Sequence, residues 1–133
     1  MAPETDLTGW SSLLLGLFAL AACIAEFRRA GTWKTMLEQM VASPAIILNV
    51  GLLELVLGAI VYLANPWAPQ DWLASLMKIL GGLMMLEALA TLAVGDLYLD
   101  FWLKHVGEAL RAWAVVILLV GAALTIAGIH RLT

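Results

Sequence analysis

Four runs of apolar residues, each close to the length of a membrane span, constrain this chain more than any other feature. They are Trp10 to Phe27, Pro44 to Ala64, Leu73 to Val94, and Ala112 to Ile129. At about 1.5 Å rise per residue, a helix of roughly 20 apolar residues crosses the hydrocarbon layer of a bilayer. The segments between the runs are too short to hold a soluble domain. With 63% hydrophobic residues, 13% charged residues and a mean hydropathy of +0.96, the composition lies outside the range of soluble domains. The expected fold is all-α: a polytopic integral membrane protein forming a single four-transmembrane-helix bundle over residues 1–133.

The first run must be weighed against a targeting signal, because Leu20-Ala21-Ala22-Cys23 has the form of a lipoprotein processing site. A secretory leader opens with basic residues, whereas here Glu4 and Asp6 precede the run without any Lys or Arg. Cys23 is therefore read as a small core residue of a retained helix. A single cysteine admits no internal disulfide.

Basic residues set the expected orientation. Arg28, Arg29 and Lys34 fall between the first two runs, and Lys104 and Arg111 between the last two, against Lys78 and Arg131 on the other side. The positive-inside rule then places both longer loops in the cytoplasm and both termini outside, which for a bacterial inner membrane means the periplasm. Trp10, Trp67 and Trp72 fall at the outer interface under this topology, and Trp33, Trp102 and Trp113 at the inner one.

Both cytoplasmic loops carry helical patterns. In GTWKTMLEQMVASP the residues Trp33, Met36, Leu37, Met40 and Val41 share one face, and Lys34 and Glu38 form an i,i+4 pair on another. This predicts a short amphipathic helix in the headgroup layer, with Gly31-Thr32 as break and N-cap before it and Ser43-Pro44 starting the second span. In the second loop Asp96, Asp100, Lys104 and Glu108 recur at intervals of four. That pattern predicts either a surface helix or an extension of the third span.

Sliding the chain 70 residues along itself matches Lys34 with Lys104, Glu38 with Glu108, Gly51 with Gly121, and Gly58 with Gly128. Two accounts stand side by side: a duplicated two-span unit, 12–62 against 82–132, and chance matches inflated by membrane composition. A duplication would relate the halves by an axis along the membrane normal.

Two acids interrupt the spans. Glu54 lies near the middle of the second run and Glu87 at a similar depth in the third, too deep for either side chain to reach water. An ionised carboxylate at that depth is costly, so each acid is neutral and hydrogen-bonded, or charged and facing a partner or a wet cavity. Gly51, Glu54 and Gly58 share a helix face, and the short linker after Ala64 makes spans two and three antiparallel neighbours, so the acids can meet. One reading takes Glu54 and Glu87 as a proton- or cation-handling site. The other takes them as protonated donors to a backbone carbonyl, Thr91 or Asn49, holding helices or protomers together. Gly51, Gly58, Gly121 and Gly128 are the candidate helix-packing positions.

Enzyme chemistry has no comparable constellation. His105 and His130 fall on opposite sides of the membrane, and no phosphate loop, metal-spaced Cys/His cluster or Ser/His/Asp set is present. Met77, Met84 and Met85 are read as packing residues rather than Cu(I) ligands. The expectation is thus no catalytic residue, no metal and no cofactor. The expected partners are the bilayer with other membrane subunits or a second copy, and not nucleic acid.

With its Gly-x-x-Glu-Leu-x-x-Gly core, Gly51 to Gly58, this four-span chain resembles the small bacterial DoxX-like membrane proteins. It is equally similar to small four-span proteins in which a Met-x-Glu…Ser-Pro-Ala segment, here Met36, Glu38 and Ser43-Pro44-Ala45, precedes the second span. The lysine that DoxX-like proteins carry after the first span is replaced by Glu26-Phe27-Arg28-Arg29. The DoxX-like resemblance implies a membrane subunit of a quinone-linked redox system. Three functions follow: an accessory or assembly subunit of an inner-membrane complex, a proton- or cation-coupled transporter using Glu54 and Glu87, and the DoxX-like redox subunit.

Overall fold

The computed structural model describes residues 6–133, so Glu4 lies outside the described residues. Five α-helices form, with no strand among the described residues: α1 (Leu7–Arg28), α2 (Thr32–Ala42), α3 (Pro44–Ala64), α4 (Trp72–Val106) and α5 (Leu110–Leu132). A single 3-10 turn, Gly107–Ala109, joins the last two. Three stretches are long and apolar enough to cross a membrane: α1, α3, and the continuous run Trp72–Leu132 that contains α4 and α5.

Local chemistry explains the boundaries. Asp6 accepts the Gly9 N–H at 3.1 Å, Ser43 that of Ile46 at 3.3 Å, and Asp71 that of Ala74 at 3.2 Å, so α1, α3 and α4 each begin on a side-chain N-cap. Pro44 follows its cap at the first helical turn, where a missing N–H costs nothing. The cap expected at Thr32 is corrected: Gly31 takes that position at φ +90°, a left-handed conformation open to glycine. Thr32 becomes the first helical residue, and its hydroxyl donates to the Arg29 carbonyl at 2.6 Å. At Val94, where the third run was expected to end, the backbone leaves helical geometry (φ −137°, ψ 40°) and then resumes to Val106. The third run and the patterned loop after it are therefore one kinked helix.

The long helices pack in two antiparallel pairs, α1 with α5 and α3 with α4. Each pair is a zipper of small residues seven apart. Along α1, Gly9, Gly16 and Cys23 face Gly128, Gly121 and Ala114 of α5; along α4, Gly81 and Ala88 face Gly58 and Gly51 of α3, and Gly95 faces Ile47. A Cβ at Gly81 would stand 2.6 Å from the Tyr62 backbone nitrogen, so only glycine permits this approach. The two zippers correspond: a slide of 70 residues superposes α3 on α5, while α1 meets α4 at a slide of 72. A single-offset comparison of the sequence could register only one of these two alignments.

The pairs join at the end that holds the start of α1 and the close of α5. There Val61, Leu73, Met77 and Leu124 form a shared apolar cluster, and the Thr8 hydroxyl donates at 2.7 Å to the Asn65 side chain, which in turn donates to the Val61 carbonyl at 2.8 Å. Arg131 at the end of α5 grips Asp71 at the start of α4 through two bonds of 2.7 and 2.5 Å, so the run Trp72–Leu132 doubles back on itself. Large apolar side chains point outward, among them Phe18 at 73% exposure and Leu63 at 79%, while Ser12, Cys23 and Ala114 are wholly buried. Small and polar inside with large and apolar outside is the arrangement of a protein whose solvent is lipid.

Candidate functional site

Glu54 of α3 and Glu87 of α4 are near neighbours across the α3–α4 zipper. Gly51 and Gly58 set this distance, because one stands against Ala88 and the other against Gly81, which draws the helix axes together on both sides of Glu54. Tyr98, beyond the kink in α4, meets the ring of Trp102 edge-on, with centroids 6.4 Å apart.

The acids share a face with the joint between the pairs. Val61 lies two turns after Glu54 and Leu80 two turns before Glu87, and both pack on the cluster that includes Leu124 of α5. At the acids the second pair no longer covers that face: Glu54 is half-buried and Glu87 exposed. Two carboxyls side by side cannot both be charged cheaply, but they can share one proton, or together receive a donor or cation from outside the chain.

The other predicted site residues are placed elsewhere. Asn49 is exposed and donates to the Ala45 carbonyl one turn back at 2.9 Å, so it is not a partner of the acids. Thr91 is buried one turn from Glu87, and neither acid makes a hydrogen bond to it. Lys78 is committed at the far end of α4, donating to the Tyr62 carbonyl at 2.9 Å with its ammonium 3.7 Å from that ring's centre. Gly51, Gly58, Gly121 and Gly128 all occupy the zippers. His105 stacks on Phe101 and bonds its carbonyl, while His130 sits at the opposite end of the molecule.

Two polar clusters escaped the sequence reading. Arg131 joins Asp71 and also Asp6, its Nε at 3.0 Å from the Asp6 carboxylate, so one guanidinium ties the N-caps of α1 and α4 to the end of α5. The bond to Arg131 holds the Asp71 carboxyl below the usual carboxylate range. At the opposite end of α1, Glu26 is 2% exposed and accepts the N–H groups of Gly31 at 2.9 Å and Trp33 at 2.8 Å, fixing the turn into α2. The Trp33 indole N–H donates back to the Ala22 carbonyl at 3.0 Å. The expected Lys34–Glu38 pair is corrected as well, because Lys34 reaches Glu108 at 3.7 Å instead.

No protein-family model matches the chain, no curated protein matches it, and no solved structure matches it.

Proposed function

We propose that the chain is a non-catalytic accessory or assembly subunit of a bacterial inner-membrane complex, crossing the bilayer four times with both ends on the periplasmic side. The observation that carries the proposal is the Glu54–Glu87 pair, held together by the α3–α4 zipper on a face that the rest of the chain leaves open. Acids at bilayer depth call for a hydrogen-bonding or charged partner, and a neighbouring subunit or second copy supplies one. Four spans are supported by the doubling back of Trp72–Leu132 onto α1, and α2, with its apolar face, fits an interfacial helix. The matching zippers support a duplicated two-span unit. A DoxX-like place in a quinone-linked system fits the same small-subunit role, resting on Gly51 to Gly58 and the segment before α3.

Gentle extraction from the native membrane tests this reading. Wild-type chain should leave the membrane in a stoichiometric assembly, Glu54→Gln should keep it because an amide still donates, and Glu54→Leu should release it through loss of an interhelical bond worth roughly 0.6 to 2 kcal/mol. A lone monomer in every mild detergent would sink the proposal. The nearness of Glu54 to Glu87 favours one second reading, proton- or cation-coupled transport. Protein in liposomes would then move protons or a substrate, and Glu54→Gln, which cannot ionise, would abolish the flux; unchanged flux removes this reading.

A further inference from the structure

The chain's seven basic residues divide sharply by what they touch. Lys34 pairs with Glu108, Lys104 with Asp100, Arg131 with Asp6 and Asp71, and Lys78 caps α3 at Tyr62. Arg28, Arg29 and Arg111 are exposed and, among the described residues, meet no acid within ion-pair distance. All three belong to one end of the α1–α5 pair: Arg111 stands 5.6 Å over the ring of Phe27, next in the chain to Arg28. The acid closest in sequence to Arg28 and Arg29, Glu26, is turned inward and engaged by the N–H groups of Gly31 and Trp33, and Glu108, three residues before Arg111, pairs with Lys34. Beside this cluster lies a pocket of about 290 Å³ lined by Arg29, Gly31 and the hydroxyl-bearing Thr32 and Thr35.

We infer that this end of the α1–α5 pair binds an anionic phospholipid, its phosphate held by Arg28, Arg29 and Arg111 with the headgroup entering the pocket beside Thr32 and Thr35. Guanidinium forks match phosphate oxygens in bidentate fashion, and among the described residues no carboxylate lies within ion-pair distance of them. The exposed side chains of Ile24, Val115 and Val116 continue from the cluster along the same helix pair and offer the acyl chains an apolar path. A lipid rather than a free anion is the committed ligand, because the cluster closes the end of a helix pair whose sides are lipid-facing.

Native mass spectrometry of the full chain in mild detergent, titrated separately with phosphatidylglycerol and phosphatidylcholine, tests the inference. Each basic residue near an anionic lipid contributes about fivefold in affinity, so the three together predict a preference on the order of a hundredfold for phosphatidylglycerol. Replacing all three arginines by glutamine should bring phosphatidylglycerol down to the affinity of phosphatidylcholine, with helical content unchanged by circular dichroism. The triple lysine variant should keep most of the preference, and Lys104→Gln, which removes a cation already paired, should keep all of it. Equal affinity for the two lipids, an unaltered preference in the triple glutamine variant, or displacement of phosphatidylglycerol by millimolar inorganic phosphate would each overturn it.

Discussion

Arg131 shows how much one side chain can organise here. It bonds two carboxylates that are themselves helix N-caps, so its removal loosens three helix ends together. Arg131→Gln should cost about 1 kcal/mol, more than an isolated exposed ion pair, and Arg131→Lys should restore only part because an ammonium cannot make the bidentate contact; thermal unfolding in detergent measures both. The sign of the pH effect follows from Asp71. Its carboxyl is held below the usual range in the folded protein, so the contribution is complete above about pH 4 and is lost as pH falls through the depressed value. A thermal melt series from pH 6 to pH 2 should show that acid-side loss in wild type and a shallower one in Arg131→Gln. At the other end of α1, Glu26→Ala strands two N–H groups and should cost about 2 kcal/mol, with Glu26→Gln intermediate because its one carbonyl can replace only one acceptor. These residues were legible as acids and bases near helix ends, but not as clusters. Asp6, Asp71 and Arg131 are far apart in sequence, and only the pairing of helices brings them together.

Helix limits were easier to read than helix partners. Ser43-Pro44 announces α3 by chemistry that acts within four residues, and α3 begins where that signal stands. The Lys34–Glu38 expectation failed because i,i+4 spacing describes a helix in isolation, whereas α2 lies beside the end of α4, where Glu108 competes for the same ammonium. The kink at Val94 had no Pro to announce it. The zippers give a sharper test of elements. Gly81→Ala forces a methyl against the Tyr62 backbone and should cost about 1 to 3 kcal/mol, while Gly82→Ala, whose new methyl would meet only the Tyr62 ring at 3.6 Å, should be neutral or stabilising by up to about 1 kcal/mol. Equal melting of the two variants would show that α3 and α4 are not held by close backbone approach.

Across the whole molecule, the two pairs are separate packing units that meet at both ends, and the single cysteine reports on one of them. Cys23 is wholly buried and donates to the Ala114 carbonyl of α5 at 3.3 Å, so a maleimide should label it only when α1 and α5 part. Gly121→Leu should raise the labelling rate at least tenfold in detergent, while Gly58→Leu, which wedges open the other pair, should leave it near the wild-type rate. The pairing also fixes an order of events during synthesis. α3 and α4 are adjacent in the chain and can close as soon as both have entered the bilayer, but α1 must wait for α5, about eighty residues later. At ribosomal speed that is roughly 4 to 16 s, during which the Ser12 hydroxyl, later donated to the Leu124 carbonyl, faces lipid with no partner from α5. A newborn α1 thus depends on whatever holds it at the insertion site until its mate arrives.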